Sequence, residues 1–159
     1  MVDKSTYDKI QLLHPMIREE VYKIINECNL KLTGKAQVRI TQGLRTFEEQ
    51  DKLYAQGRTT EGKKVTNAKG GQSIHNYGTA LDIVLIIGGK EASWDIKKDW
   101  DNDNVSDWDE CVKVFAKYNW SWGGNWSSFK DFPHFEKIGY NNWRVLAKKT
   151  KGKTGYFIP

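Results

Sequence analysis

The chain has 159 residues, a net charge of +5, a sequence pI near 9.1 and two cysteines. This length is enough for one domain with a hydrophobic core but not for two, and no stretch is apolar enough to cross a membrane. The positive charge favours an anionic polymer as partner, while the scattered lysines argue against nucleic acid. Cys28 and Cys111 are too few for a disulfide framework, so we predict that both are buried apolar positions on helices.

The first predicted helix begins at Pro15, a residue that suits the first turn of a helix. Apolar residues then recur at helical spacing and predict a face packed against the core: Ile17, Val21, Ile24, Ile25 and Cys28. His14, just before this helix, is expected to be a surface or helix-start residue. A strand is predicted at residues 37–42, where apolar and polar side chains alternate.

A second helix is predicted by a capping box, in which Thr46 and Glu49 satisfy each other's backbone donors, and Gly57 ends that helix. Arg45 therefore lies at the corner between the strand and the helix. A cation at such a corner can point into a cleft and stabilise an oxyanion. The alternative is an ordinary surface salt bridge. The polar, glycine-rich residues 58–71 can flank a substrate groove.

Two segments carry the most distinctive side chains, residues 73–82 and residues 131–136. His75 lies in a glycine-rich loop, and Asp82 lies near the start of an apolar run, residues 81–87, that predicts a strand buried on both faces. A carboxylate at the mouth of such a strand is costly unless a charged group such as a metal ion meets it. For His75 alone, the bland alternative is a satisfied, partly buried histidine.

The second segment predicts a turn followed by a short strand. Pro133 lacks a backbone donor and suits the first residue of a strand, so Asp131 falls in the turn and the strand contains residues 134–136. His134 and Glu136 then share one face of that strand. This places Glu136 where it can orient His134 by a hydrogen bond, as the partners of metal-binding histidines do.

Together the two segments contain the parts of a catalytic zinc site. Such a site needs a few nitrogen or oxygen ligands, an open position for water and a general base nearby. His75, Asp82 and His134 can supply the ligands. Asp131, three residues before His134, can act as the base without being a ligand.

A third segment, residues 99–110, matches the oxygen-ligand spacing of an EF-hand-type calcium loop. Its first, third, fifth, ninth and twelfth positions are Asp99, Asp101, Asp103, Asp107 and Glu110. Asn104 stands at the sixth position, where glycine is expected, but asparagine tolerates the left-handed conformation. No helix is evident before the loop. The alternative is an acidic solvated loop in which Ser106 caps the helix of residues 108–118.

The C-terminal end of the chain becomes polar, with lysines and a glycine in residues 148–153. We therefore expect a folded domain in residues 1–147 and a linker or C-terminal tail in residues 148–159. A linker implies a further binding module beyond this chain. The alternative is a tail that packs back on the domain.

The two metal-binding segments contain the pattern Ser-x-His-x-x-Gly-x-Ala-x-Asp and a later Asp-x-x-His. This pattern resembles the family of zinc D-Ala-D-Ala carboxypeptidases and L-alanyl-D-glutamate endopeptidases (VanY-like). Further motifs resemble its endopeptidase branch, which includes many phage endolysins: residues 42–46, 49–50, 53–59, 65–68 and 122–126. The family often has aspartate at the position of Asn125 and a branched aliphatic residue at that of Thr79, and neither difference affects a proposed ligand.

The resemblance implies an α+β fold of the hedgehog or D-Ala-D-Ala-peptidase type, a small antiparallel sheet flanked by helices, with residues 1–147 as the zinc peptidase domain. It implies zinc as cofactor and assigns roles residue by residue: His75, Asp82 and His134 as ligands, Asp131 as general base and Arg45 on the substrate carbonyl or oxyanion. Ser73 is expected to hydrogen-bond the substrate or a ligand, with a turn-forming role as the alternative.

The function that the resemblance implies is cleavage of the L-alanyl-D-glutamate bond in the stem peptide of bacterial peptidoglycan, by a phage or prophage endolysin. Two alternatives stand beside it, a D-Ala-D-Ala carboxypeptidase and a non-catalytic wall-binding or signalling module. Asp131 argues against the second alternative, because a binding protein needs no base.

The cell wall is then the anionic partner, and the expected module after the linker is a wall-binding domain. The first residues lack the apolar run of a signal peptide. We therefore expect a protein that stays in the host cytoplasm, without membrane insertion, until a phage-made pore releases it to the wall. We also expect a monomer.

Overall fold

A computed structural model describes residues 2–159 and contains a five-stranded antiparallel sheet. The strands are β1 (Ala36–Gln42), β2 (Ala80–Ile87), β3 (Glu91–Ser93), β4 (Trp120–Trp122) and β5 (His134–Lys137). Their order is β1-β2-β5-β4, and β3 pairs with the C-terminal end of β2. The central strand β2 thus has three partners, and most of its side chains are buried, as its apolar sequence predicts.

Helices flank this sheet: α1 (Lys4–Leu12), α2 (Arg18–Lys31), α3 (Phe47–Ala55), α4 (Asp107–Lys117) and α5 (Trp143–Leu146). The main hydrophobic core lies between the sheet and α1, α2 and α4. The predicted α+β fold with a small antiparallel sheet is therefore confirmed. The same core contains the two free cysteines, Cys28 on α2 and Cys111 on α4, which are both fully buried as predicted. Within residues 2–159, no helix combines the length and apolar character that a membrane span requires.

The predicted helix is present, but α2 begins at Arg18 and the predicted start at Pro15 is wrong, because Pro15 begins a separate 3₁₀ turn, Pro15–Ile17. The predicted capping box of α3 is also present. The Thr46 hydroxyl accepts from the Glu49 N–H at 3.0 Å, and the Glu49 carboxylate accepts from the Thr46 N–H at 3.3 Å. Helix α1 was not predicted, because only Thr6 and Ile10 of its side chains are buried and its apolar periodicity is correspondingly weak.

The C-terminal residues pack against the N-terminal part of the domain. Phe157 is 5% exposed and joins a second, smaller core with Ile74, Tyr77, Ala80 and Leu146. Nε2 of His14 lies 2.8 Å from the Phe157 carbonyl oxygen, and the Tyr156 hydroxyl donates to the Leu12 carbonyl at 2.7 Å. His14 is therefore buried, so its expected surface position is wrong, while its place at the start of the 3₁₀ turn is confirmed. These contacts describe a packed tail, and the division at residue 147 stays a prediction.

We expect Phe157→Ala to lower the free energy of unfolding by about 3 kcal/mol, because truncating a buried phenylalanine leaves a cavity. Urea or thermal unfolding measures this loss. The matched control is Ile158→Ala, whose side chain is 54% exposed and whose removal should cost less than about 1 kcal/mol. Equal stability of the wild type and Phe157→Ala would show that the tail does not contribute to the fold.

Candidate metal centre

Three side chains from separate parts of the chain meet at one end of β2. Asp82 on β2 pairs directly with His134 on β5, so their side chains lie on the same face of the sheet. His75 comes from a 3₁₀ turn, Ile74–Tyr77, which ends at Gly78 with a φ of +75° that glycine adopts without strain. Nδ1 of His134 is 3.2 Å from Nε2 of His75 and 3.2 Å from Oδ1 of Asp82, and those two atoms are 3.3 Å apart.

These three atoms form a nearly equilateral triangle that fits the donor spacing around a zinc ion. In a tetrahedral site with bonds of about 2.0–2.1 Å, neighbouring donor atoms are about 3.4 Å apart. Two imidazole nitrogens and one carboxylate oxygen also form a donor set typical of catalytic zinc, and they leave a fourth position open. The three residues could therefore hold a zinc ion on the donor atoms that face one another.

The outward-facing ring nitrogens of both histidines are fixed by hydrogen bonds. Nδ1 of His75 lies 2.8 Å from the Gly43 carbonyl oxygen, which can only accept, so that nitrogen carries the proton and Nε2 is free to bind a metal. Nε2 of His134 lies 2.8 Å from a carboxylate oxygen of Glu136. Glu136 thus lies where the alternation of β5 predicts, and it leaves Nδ1 of His134 facing the triangle.

The charges around the triangle favour a cation at its centre. Burial lowers the pKa of His134, but hydrogen bonds to Asp82 and Glu136 outweigh it and raise this pKa to about 9. Burial raises the pKa of Asp82, yet its hydrogen bonds to the two histidines hold that pKa well below its usual range. In the absence of a metal, a proton on His134 therefore supplies the positive charge that the two carboxylates require.

Asp131 lies in the turn before β5 and lines the same cavity as the triangle. Its backbone is fixed on both sides, because its N–H donates to the Gly123 carbonyl at 3.1 Å and its carbonyl accepts from the His134 N–H at 3.2 Å. Burial raises the pKa of its carboxyl group, and the neighbouring Asp82 carboxylate raises it further. Asp131 is thus a half-buried carboxyl group beside the triangle, with properties suited to general acid–base chemistry.

We expect Gly123→Ala to reduce activity, because an added Cβ would lie 2.3 Å from the Asp131 carbonyl oxygen and force that segment to move. A displacement of about 1 Å at a catalytic group costs on the order of 100-fold in kcat. Steady-state kinetics measures the loss. Gly152→Ala is the matched control, because its added Cβ meets only ordinary contacts beginning at 3.5 Å. Full activity in Gly123→Ala would show that the position of Asp131 does not depend on this contact.

Arg45 lies at the predicted corner between β1 and α3, and its side chain lines the cavity. One guanidinium nitrogen donates to Gln50 at 2.9 Å, and the fully buried Gln50 amide donates in turn to the Ala68 carbonyl at 2.9 Å. Burial lowers the pKa of Arg45, and the carboxylates of Asp82 and Asp131 oppose that shift. None of the salt bridges among the described residues involves Arg45, so the alternative of a surface salt bridge is wrong. Sequence reasoning missed the buried Gln50.

A cavity of about 670 Å³ opens above the triangle. Besides the predicted residues Arg45, Ser73 and Asp131, its walls contain side chains to which the sequence analysis gave no individual role: Val65, Thr66, Asn67, Ala68, Gln72, Trp126, Trp143 and Arg144. Residues 65–68 belong to the polar connection that is expected to flank a substrate groove, and they line this cavity. The centre of the Trp126 ring lies 5.3 Å from the centre of the His134 ring. In the sequence, only the family-like motif of residues 122–126 indicates that Trp126 belongs to the site.

Ser73 begins the 3₁₀ turn that carries His75. Its N–H and the Gly71 N–H both donate to the side-chain oxygen of Asn76, at 3.1 and 3.0 Å, and the Asn76 amide donates to the Arg45 carbonyl at 2.9 Å. The backbone of Ser73 therefore helps to form the turn, and the residue lines the cavity. Asn76, buried between the loop and Arg45, is a second positioning residue that sequence reasoning missed.

The acidic residues 99–110 form the end of the connection from β3 and the first turn of α4, apart from this cavity. Two groups of three carboxylates there have oxygens within 4.8 Å of one another: Asp99, Asp101 and Asp107, and Asp101, Asp103 and Glu110. The Ser106 hydroxyl accepts from the Asp109 N–H at 3.2 Å, so the predicted cap of α4 is confirmed. As predicted, no helix precedes the loop; the preceding element is the short strand β3.

Comparisons with known proteins agree with this geometry. Residues 66–137 match the family model described as D-alanyl-D-alanine carboxypeptidase. The chain is 42% identical over 129 residues to the peptidoglycan L-alanyl-D-glutamate endopeptidase CwlK of Bacillus subtilis. The aligned region covers 79% of this chain and 74% of CwlK. The fold is similar to the crystal structure of the Serratia marcescens L-Ala D-Glu endopeptidase ChiX, with a TM-score of 0.55, 18% identity and coverage of 84% of this chain and 86% of that one.

The identity to CwlK over most of both chains is high enough to establish common family membership. The residues that match the family model, 66–137, include His75, Asp82 and His134. The likeness to ChiX independently supports the fold. The chain therefore belongs to the metallopeptidase family of D-alanyl-D-alanine carboxypeptidases and L-alanyl-D-glutamate endopeptidases.

Proposed function

We propose that this enzyme is a zinc-dependent hydrolase that cleaves the L-alanyl-D-glutamate bond in peptidoglycan stem peptides. The observation that carries the proposal is the triangle of His75, Asp82 and His134, with Asp131 and Arg45 in the same cavity. The choice of bond is supported by the 42% identity to CwlK, whose name describes that activity.

In this proposal His75, Asp82 and His134 hold the zinc ion. Zinc in such a site supplies polarisation of the scissile carbonyl and acidification of a water molecule. Glu136 and the Gly43 carbonyl keep the two imidazoles in the required orientation through the hydrogen bonds on their outer nitrogens.

Asp131 acts as the general base and then as the general acid. Its carboxylate takes a proton from the attacking water and returns a proton to the nitrogen of the leaving D-glutamate. The raised pKa of this carboxyl group suits both steps, because its protonated form is more accessible than that of an exposed aspartate. Its place beside the triangle, rather than in it, leaves both carboxylate oxygens free for proton transfer.

Arg45 stabilises the negative charge that develops on the carbonyl oxygen. Its position is fixed by the hydrogen bond from one guanidinium nitrogen to Gln50, and the residue lines the cavity. A cation held in place at the cavity wall is what an oxyanion contact requires. Arg144, on the cavity wall, offers a second cation for the carboxylates of the stem peptide, and the Ser73 side chain offers a polar contact.

The test is mass spectrometry of purified peptidoglycan after incubation with the zinc-loaded enzyme, beside a sample from which zinc has been removed. We expect fragments with a new amino-terminal D-glutamate in the first sample only. Release of free D-alanine alone would instead assign the enzyme to carboxypeptidase activity. Intact wall in both samples would contradict a hydrolase acting on that wall type.

Four further expectations stay predictions: the phage or prophage origin, release through a pore, the monomeric state and a wall-binding domain.

A further inference from the structure

A cluster of five carboxylates lies in the loop before α4 and in the first turn of that helix, outside the proposed catalytic cavity: Asp99, Asp101, Asp103, Asp107 and Glu110. Asp101 belongs to both groups of close oxygens, so the five side chains form one acidic cluster. None of the salt bridges found in residues 2–159 involves them. A cluster of carboxylates without an ion pair is unfavourable, because like charges repel one another and raise the free energy of the fold.

The observation that distinguishes this cluster from an ordinary acidic loop is the state of Asp107. Its side chain is 0% exposed. Oδ1 accepts from the Trp100 N–H at 2.7 Å, whereas Oδ2 has no hydrogen-bond partner. An ionised oxygen buried without a partner is costly, and a cation among the neighbouring carboxylates removes that cost. Oε2 of Glu110 is likewise buried and without a partner.

The backbone of the loop agrees with the calcium-loop register. The sixth position requires a left-handed residue, and Asn104 has a φ of +73° there. Its N–H donates to Oδ2 of Asp99, at the first position, at 2.9 Å. The substitution of asparagine for glycine therefore leaves the turn intact. The ninth position, Asp107, begins α4, so the loop is joined directly to that helix.

The cluster is also tied to a second part of the fold. Oδ2 of Asp101 accepts from the Thr33 N–H at 3.1 Å and from the Thr33 hydroxyl at 2.8 Å. Thr33 lies in the connection between α2 and β1. A cation held by Asp101 and Asp107 would therefore fix the start of α4 relative to that connection.

We propose that the loop of residues 99–110 is a structural calcium site, with ligands from Asp99, Asp101, Asp103, Asp107 and Glu110. Carboxylate oxygens are ligands for hard cations. Calcium accepts about six to eight such ligands in an irregular arrangement, whereas magnesium requires a near-ideal octahedron, so five clustered carboxylates suit calcium better. Calcium stabilises the fold at this loop, and the site is separate from the zinc ligands. It does not depend on the proposed peptidase activity.

The experiment is a calcium titration of calcium-free, zinc-loaded enzyme, followed by calorimetry and thermal unfolding. We expect one saturable binding event and a rise in Tm of about 5–10 °C when free calcium is about 100-fold above Kd. Magnesium should give a much smaller shift. An equal shift with magnesium overturns the calcium assignment, and no heat and no shift up to about 10 mM calcium overturns the site.

Two variants separate ligation from a general charge effect. Asp103→Asn removes an exposed ligand and should abolish most of the Tm shift, while its Tm without calcium stays equal to that of the wild type or rises because repulsion is relieved. Asp109→Asn is the matched control: Asp109 lies in the same turn of α4, pairs with Lys113 at 3.1 Å and is outside the cluster. It should keep the full calcium shift. A similar loss of the shift in both variants would overturn the proposal.

Discussion

Replacing Asp131 by asparagine is expected to reduce kcat by about 10²–10⁴-fold while leaving the zinc content unchanged. Asparagine keeps the size and shape of the side chain but cannot take a proton from water. Asp131 is not part of the triangle of donor atoms, so zinc binding does not require it. Steady-state kinetics on wall fragments, with metal analysis of the same preparation, measures both quantities.

The thermal stability of Asp131→Asn provides the control for folding. Burial and the neighbouring Asp82 disfavour the ionised form of Asp131, so a neutral amide at this position should not lower Tm. A variant with normal zinc content, normal Tm and strongly reduced kcat would match the role of general base. Wild-type kcat would assign the proton transfer to another group.

Replacing Asp82 by asparagine is expected to reduce activity too, but in this variant zinc is lost as well. The substitution keeps the packing of β2 but replaces the charged carboxylate donor by a neutral amide, which is a much weaker zinc ligand. His134 then keeps only Glu136 as a carboxylate partner. We expect zinc affinity to fall by more than about 100-fold, since the loss of a ligand should exceed the 10–100-fold cost of losing its outer partner.

The two substitutions form a matched pair, because each changes aspartate to asparagine in one cavity. Zinc affinity measured by competition with a metal-binding dye should fall in Asp82→Asn and stay unchanged in Asp131→Asn. Activity of Asp82→Asn should return in part when zinc is supplied in excess, whereas added zinc should not restore Asp131→Asn. Equal zinc affinity in the two variants would contradict the assignment of Asp82 as a ligand.

Several features of the site could be predicted from sequence because they depend on residues close together in the chain. The capping box of α3 joins Thr46 to Glu49, three residues apart, and it places Arg45 at the corner before the helix. The alternation of β5 puts His134 and Glu136 on one face, and they are hydrogen-bonded at 2.8 Å. Turn and strand preferences of the backbone are enough to determine these relationships.

Other features depend on contacts between distant parts of the chain. Gln50 is a polar residue on α3 that becomes fully buried because Arg45 and the Ala68 carbonyl meet its amide. Helix α1 packs through a narrow apolar face that periodicity alone does not reveal. The burial of Phe157 against His14 follows from contacts across 143 residues of chain. Short-range sequence patterns do not predict packing between residues so far apart in the chain.

The sequence by itself determined the candidate ligands, the candidate base and the spacing of the acidic loop, because residue type and short-range periodicity fix these, and its family resemblance implied the α+β class. Only the tertiary structure decided that His75, Asp82 and His134 lie 3.2–3.3 Å apart, that Arg45 faces their cavity and that Asp107 is buried with an unused oxygen. These distances and burials arise from the pairing of β2 with β5 and from the packing of α4 on the sheet. Such long-range contacts are selected by the burial of the whole core, which no single segment specifies.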